Sequence, residues 1–265
     1  MIHAGNLRKM VSIQGDPIQY ALPLGDSLVN LNDHIGSSIK LHFNGTINCV
    51  CCGKKIKKTY NQGFCFQCFQ TAPEADESIV KPELSKVHLG IARDLNWAQT
   101  HDLIDHYVYI AVSSDLKIGV TRHHQIPTRW IDQGASYAIK VAKVPNRHVA
   151  GIMEVWFKKY YKDKTNWRAM LTNQVNNSFD LKEEKYRALE LLPAELKQYS
   201  SDDDSVTVLN YPVEEFPTKI NSLSLDKENT IEKKLIGIKG QYLLFEGGDV
   251  LNIRKHNGYF VEIEY

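Results

Sequence analysis

The chain has no run of about 18 apolar residues, so no transmembrane helix is expected. Its first ten residues, Met1 to Met10, lack the apolar stretch of a secretory signal, and a cytoplasmic location is the expectation. Cysteine is absent before position 49 and after position 68, and all five cysteines fall within one twenty-residue window. A disulfide framework would spread its bridges along the chain, so the clustering argues for reduced thiols that hold a metal. Carboxylates are absent from Lys40 to Gln70, where five lysines stand. The formal net charge of +1 hides that asymmetry. His101 to Met170 carries eleven Lys/Arg against six Asp/Glu, and Leu181 to Ser205 reverses the sign with seven acids against four bases. Two basic segments therefore suit a polyanion.

What is present is ordinary for a globular protein: 43% hydrophobic and 24% charged residues over 265 positions, enough for one large domain or two to three small ones. The cysteines read Cys49-Val-Cys51-Cys52-Gly53 and, after twelve intervening residues, Cys65-Phe-Gln-Cys68. Two C-x2-C turns can aim four thiolates at one ion. Gly53 follows Cys52 where a tight turn favours positive φ, which selects Cys52 over Cys51 as the ligand. The metal site is therefore Cys49, Cys52, Cys65 and Cys68, with zinc as the ion and Cys51 as a spare thiol. The competing readings are buried free thiols or two disulfides. Four cysteines leave zinc no open position, so the ion is structural. Lys54, Lys55, Lys57 and Lys58 lie between the turns among Tyr60, Phe64, Phe66 and Phe69. Lysines meet phosphate and rings stack on bases, so the segment reads as a nucleic-acid surface. Alternatively, the rings form a small core that the lysines solvate.

Both ends of the chain read as β-rich. Ile39, Leu41 and Phe43 alternate with polar residues, and residues 235–265 alternate around Gly240, Gly247-Gly248 and Asn257-Gly258, the last a two-residue hairpin signal. Ile35-Gly36 and Ile236-Gly237 open a weak echo between the ends, which predicts either one barrel-like module built from both termini or two ordinary hairpins. Residues 71–87, with Pro73 and Pro82, form a connector. Leu181 to Tyr199 forms an acidic helix, and Asp202-Asp203-Asp204 opens a linker.

The centre predicts β-β-α-β-α. Strands run His106–Val112 and Leu116–Thr121, a helix Pro127–Gly134, a strand Tyr137–Val144, and a long helix from Asn146 to about Tyr161. On that last helix Val149, Ile152 and Trp156 mark the core face. Arg147, Ala150, Gly151, Glu154 and Lys158 share another, with small residues that admit close approach beside Glu154. Glu154 and Lys158 are spaced for an i,i+4 pair. Thr165 is the expected cap of a helix opened by Lys164-Thr165-Asn166-Trp167-Arg168. His88, His101, Asp102, Asp105 and His106 allow a second metal site, with solvent-facing or hydrogen-bonded histidines as the alternative.

This centre resembles the GIY-YIG nuclease core. Tyr107-Val108-Tyr109 takes the place of the first motif and Lys117-Ile118-Gly119 that of the second, with Arg129 on the following helix and Glu154 on the helix after the third strand. The resemblance implies catalytic roles for Tyr109 at an attacking water, Arg129 at phosphate and Glu154 at a single Mg2+ or Mn2+. The second-motif tyrosine is Lys117 here, and no matching histidine follows Arg129; a phosphate-binding fold without hydrolysis is the alternative. The chain as a whole resembles an uncharacterised bacterial family, domain of unknown function 2797. The strings that carry this are Lys117 to Arg122, Arg129 to Ala135, Lys164 to Arg168 and Gly237 to Tyr242, together with the cysteine ribbon.

The expected class is α+β: a zinc ribbon plus a small GIY-YIG-like three-stranded sheet with helices, flanked by β-rich, barrel-like ends. The expected organisation is a β-rich segment 1–47, a ribbon 48–72, a connector 73–105, an α/β domain 106–200 and a β-rich domain 205–265. The partner is nucleic acid, contacted by Lys54, Lys55, Lys57, Lys58, Lys117 and Arg122. The protein is then a metal-dependent nuclease, a non-catalytic nucleic-acid or ribonucleoprotein binding module, or an enzyme that uses the Arg122–Arg129 end as a small-phosphate pocket.

Overall fold

The computed structural model describes residues 1–161 and 165–265. Along the chain the strands and helices are β1 (Ile2–Asn6), β2 (Val11–Ile13), β3 (Gln19–Leu24), β4 (Ser27–Asn30), β5 (Ser38–Asn48), β6 (Lys55–Ile56), α1 (Phe66–Thr71), α2 (Leu95–His101), β7 (His106–Val112), β8 (Leu116–Arg122), α3 (Thr128–Asp132), β9 (Tyr137–Val144), α4 (Arg147–Phe157), α5 (Trp167–Leu171), α6 (Leu181–Leu191), α7 (Ala194–Lys197), β10 (Thr207–Val208), β11 (Asn221–Ser222), β12 (Thr230–Lys239), β13 (Tyr242–Phe245), β14 (Asp249–Asn252) and β15 (Tyr259–Glu264). Residues fall into two compact units. One comprises Met1–Gln70, Leu171–Asn173 and Leu209–Tyr265, the other Thr71–Met170 and Gln174–Val208. No helix among the described residues is long and apolar enough to cross a membrane.

The first unit joins the two ends of the chain in one sheet, ordered β1-β15-β5-β12-β13-β14-β11, with β6 added beside β5. The alternation read in β5 is real: Ile39, Leu41 and Phe43 are buried, as are Ile231, Val261 and Ile263 on the strands beside them. The two echo segments lie together, since the Gly36 N–H donates to the Leu235 carbonyl at 2.7 Å. The sheet stays open, with β1 and β11 at its edges, rather than closing as the expected barrel. A separate three-stranded sheet, β2-β3-β4, completes the unit's strands. Asn257-Gly258 is not a hairpin turn. Gly258 does take positive φ, +88°, but β15 leaves the turn to pair with β1 and β5 instead of β14. The turn chemistry is local, whereas the pairing is decided by burying Val261 and Ile263.

The second unit contains the β-β-α-β-α core, with β10 as a fourth strand beside the three expected: β10-β9-β7-β8. Helices cover both faces of this sheet, so β7 is nearly continuously buried. On one face Val108, Ile110, Ile118, Ile139 and Val141 meet Ala150, Met153 and Phe157 of α4 and Ala188 of α6. A side chain such as Phe157, fully buried, contributes about 1.5–3 kcal/mol. On the other face Tyr109 meets Trp130 of α3 edge-on, with centroids 5.8 Å apart. Asn146 caps α4, accepting from the Val149 N–H at 3.0 Å.

Four local expectations are corrected here. α4 ends at Phe157, short of Tyr161. Its fully buried stripe is Ala150, Met153 and Phe157; Val149 and Trp156 pack against the same core from a partly buried position, as expected, whereas Ile152 is exposed. The acidic helix stops at Leu191, because Pro193 cannot continue it, and restarts as α7. Asn166, not Thr165, accepts from the Ala169 N–H at 3.2 Å to cap α5; Lys164 lies outside the described residues. The Asp202–Asp204 run is pinned down: Lys140 Nζ meets Asp203 Oδ2 at 2.8 Å, and the buried Lys185 Nζ meets Asp204 Oδ1 at 2.6 Å.

Candidate functional site

Two chemically distinct sites are present, one in each unit. In the first unit, the Sγ atoms of Cys49, Cys52, Cys65 and Cys68 all lie within 4.8 Å of one another. Cys49 follows the end of β5. The chain turns back at Gly53, whose N–H donates to the Cys49 carbonyl at 2.9 Å and whose φ is +72°. Cys65 immediately precedes α1, and its own N–H donates to Cys49 Sγ at 3.1 Å, while the Cys68 N–H donates to Cys65 Sγ at 3.3 Å. Such amide–sulfur bonds offset negative charge on a four-thiolate site. Burial opposes ionisation of Cys49, but the amide groups of Cys52, Cys65 and Cys51 outweigh it and lower the thiol to about 6. Cys68 is pushed up, first by its hydrogen bond with Cys65 and then by burial. The donor set fits a tetrahedral ion such as zinc with no position left for substrate. Cys51 is exposed and outside the group. Glycine at 53 was the sequence signal that separated the two neighbours.

The segment around this site presents rings and lysines together. Phe66 is 53% and Phe69 36% exposed. The Tyr60 ring lies 5.3 Å from Phe66 and stacks on Phe69 at 6.1 Å and 20°. Lys58 Nζ sits 5.0 Å over the Tyr60 ring, and Lys54, Lys55, Lys57 and Lys58 are all exposed. Two basic residues from distant sequence join them. Arg8 donates to the Val50 carbonyl at 2.9 Å, and Arg254 donates to Gln62 Oε1 at 2.6 Å. Nothing in the cysteine segment could reveal either one.

In the second unit, Tyr109 meets Arg129, and Glu154 lies within electrostatic range of Tyr109. The Tyr109 hydroxyl donates to Gln133 Oε1 at 2.9 Å and is also hydrogen-bonded to Arg129, with Glu154 close enough to act on it electrostatically. Arg129 and Gln133 are four apart at α3, hence on one side of it. Tyr109 sits directly across from Gly119 in the β7–β8 pair. A Cβ on Gly119 would lie 2.7 Å from the Tyr109 Oη, so glycine there makes room for the phenol. Tyr109 is completely buried, and burial raises its pKa, so it is a protonated donor inside the unit and not a surface group. Arg129 and Glu154 are half-buried, and Glu154 pairs with Lys158 at 3.7 Å.

Arg122 and Arg147 extend this cluster. Burial first, then the neighbouring Arg147, lowers Arg122 to about 10, and Arg147 is itself lowered by burial while it feels Asp102, Arg129 and Glu154. Arg122 Nε donates to the His101 carbonyl at 3.0 Å. Lys117 is only 5% exposed and so does not reach a polymer. Arg147 carried no sequence signal of its own beyond sharing a helix side with Glu154. That side is covered by the connector. Arg147 donates to the carbonyls of Ser78 and Ile79 at 2.8 and 2.9 Å, His148 Nδ1 meets the Glu83 carbonyl at 3.0 Å and stacks on His88 at 4.2 Å, and the backbone of Pro82 and Glu83 lies on Gly151. The close approach expected at Ala150-Gly151 is thus made by the chain itself.

The connector and α2 also enclose a cavity of about 350 Å³, and neither Arg122 nor Arg129 lines it. The remaining histidines are spread apart: His101 stacks on Trp97 at 3.9 Å, Asp105 pairs with Lys143 at 2.7 Å, and His106 is buried with Nδ1 on the Ile104 carbonyl at 2.8 Å. Among the described residues, the four cysteines form the one group of three or more His, Cys, Asp or Glu side chains close enough to share an ion.

The chain belongs to the family described as protein of unknown function DUF2797, whose model matches residues 36–261. That match spans the cysteine segment, the α/β core and the β-rich end. No curated protein and no solved structure matches the chain.

Proposed function

We propose that this protein is a zinc-stapled nucleic-acid-binding protein, with the ribbon as its contact surface. The observation that carries the reading is the union of exposed rings and exposed lysines on a segment without a carboxylate. Lysines release condensed counterions from phosphates, and rings add contacts to bases. The reading predicts salt-sensitive binding of DNA or RNA by the full zinc-loaded chain. Charge reversal of Lys54, Lys55, Lys57 and Lys58 weakens it and flattens the salt dependence, as read by fluorescence anisotropy over a salt series. Unchanged affinity after that reversal defeats the reading.

A second reading concerns the α/β unit, and the contact of Tyr109 with Arg129, with Glu154 in electrostatic range of Tyr109, favours it. Arg129 offsets charge on a phosphate, and Glu154 is the carboxylate for one divalent ion. Bound Mg2+ or Mn2+ would supply Lewis-acid stabilisation of a phosphodiester transition state. Tyr109 holds Arg129 in place through its hydroxyl. The absence of the second-motif tyrosine at Lys117 leaves no second phenol for the attacking water, so slow cleavage or phosphate binding alone fits this cluster. Metal-dependent cleavage abolished by Glu154→Ala tests it; cleavage that survives Glu154→Ala rules this assignment out.

A further inference from the structure

We infer that the ribbon surface takes single-stranded rather than duplex nucleic acid, and that Phe66 and Phe69 are its base-stacking residues. The inference rests on the nucleic-acid reading above and specifies its ligand.

Charge alone does not choose between strands. Lysines contact phosphates of a duplex and of a single strand alike. The rings do choose. In a duplex the bases are already stacked on one another and show only their edges in the grooves, so an exposed phenyl face has no base face to meet. An unpaired strand offers those faces, and a ring stacks on any of the bases because each has a π-face. Here the rings are not the sealed core of the ribbon. Phe66 exposes 53% of its surface and Phe69 36%, although ring-to-ring contacts with Tyr60 hold both in place. The Tyr60–Phe69 stack, at 20° between planes, sets a ring orientation that a following base continues.

The backbone supports the same arrangement. Phe66 and Phe69 stand three apart on α1, hence on one side of it. Tyr60 is fixed opposite by paired backbone hydrogen bonds with Phe64, 2.8 and 2.9 Å. Lys58 lies over Tyr60, which places a cation beside the rings, where a strand whose bases stack must carry its phosphates. Exposed rings with a cation beside them match a flexible polyanion with unpaired bases. An acidic protein segment would meet the lysines but would leave the phenyl faces without planar partners.

The test uses the full zinc-loaded chain and labelled oligonucleotides of about sixteen nucleotides, within the range covered by one single-strand module. The strands are presented as DNA, as RNA and as the duplex of the same sequence. The expected result is at least tenfold tighter binding of the single strand. Phe66→Leu keeps apolar bulk and loses the ring face, and it should weaken single-strand binding roughly tenfold without changing duplex binding. Phe66→Trp should hold or increase affinity. A ring that served only to pack would not separate leucine from tryptophan in this way. Zinc content and circular dichroism confirm that each variant is folded, and Phe69→Leu repeats the comparison at an independent position. Equal affinity for single strand and duplex, or equal effects of leucine and tryptophan, overturns the inference while nucleic-acid binding stands. Binding to neither form removes the underlying reading as well, and a preference for an acidic polypeptide such as polyglutamate over every oligonucleotide overturns both.

Discussion

Gly151 lies directly beneath the backbone of Glu83: a Cβ at 151 would fall onto the Glu83 nitrogen and the Pro82 carbonyl carbon. That single contact explains why a glycine occupies the middle of α4, where it costs roughly 1 kcal/mol of helix propensity relative to alanine. The connector across α4 requires it. Together with the Arg147 bonds to Ser78 and Ile79, it fixes an otherwise irregular segment of 3-10 turns on the helix side that carries Glu154.

Gly151→Ala therefore separates two opposing effects. Propensity alone would stabilise the protein. The clash is with backbone, which cannot rotate aside, so the methyl group must lift the connector at a cost of about 1–3 kcal/mol. The expected outcome is a lower unfolding midpoint and faster tryptic cleavage after Lys86, which precedes Val87. A raised midpoint with unchanged cleavage would show that the connector is not held by this contact.

Metal removal should act on the ribbon. Cys52→Ser removes a ligand and should reduce bound zinc from about one ion per chain to near none, whereas Cys51→Ser should leave it unchanged. Elemental analysis after dialysis reads the difference. Zinc retained by Cys52→Ser would mean that Cys51 can replace Cys52, and equal losses in both variants would mean that Cys51 is itself required.

The local grammar of the central core was legible because its strands are long, apolar and punctuated. Ser113-Ser114-Asp115 and Pro145-Asn146 stand where the strand ends and the helix begins. Less visible was anything set by distant chain. Gly258 has the expected positive φ, but β15 finds its partners in β1 and β5, far away in sequence. Ile152 reads as core by type, yet its position on α4 faces solvent because the sheet selects Ala150, Met153 and Phe157. In the candidate sites, Cys49, Cys52, Cys65 and Cys68 announce themselves by spacing. Arg8, Arg254 and Arg147 do not, since nothing periodic or motif-like links them to the residues they join.

Acid should weaken the second unit in a defined window. His106 is buried, and that burial lowers its pKa from 6.5 to about 4. As pH falls below 6.5 the unfolded chain takes up this proton before the folded one does. The stability is therefore complete above pH 6.5 and is lost as pH falls toward 4, approaching roughly 3 kcal/mol. His106→Gln cannot titrate and should flatten that part of the profile in urea denaturation from pH 7 to 4. An identical slope in both proteins would assign the acid response to other groups. The salt-bridged Asp203 and Asp204, whose pKa values are depressed by their hydrogen bonds with Lys140 and Lys185, add their own loss in the same direction but at lower pH.

Tyr109 and Gly119 provide the sharpest test of the candidate phosphate cluster, because their relation can be measured without assuming any activity. Gly119→Ala places a methyl group against the Tyr109 Oη at 2.7 Å and Cζ at 2.8 Å. The phenol is enclosed by Trp130 and bound to Gln133, so it cannot move without giving up contacts, and the expected cost is about 1–3 kcal/mol. Tyr109→Phe removes the hydroxyl and leaves the Gln133 oxygen without that donor, at a cost of about 1–3 kcal/mol. In the double variant the methyl group meets a ring without its oxygen, and the lost hydrogen bond is counted once. The two costs should thus sum to more than the double variant shows, with a coupling of at least about 0.5 kcal/mol. Equilibrium unfolding of the four proteins gives that coupling. The same hydroxyl orients Arg129, so Tyr109→Phe should also weaken phosphate or oligonucleotide binding at the α/β unit while leaving the ribbon's zinc in place. Strict additivity in the cycle would mean that glycine at 119 serves another purpose and that the phenol is free to shift, and the case for Tyr109 as the group that positions Arg129 would fall with it.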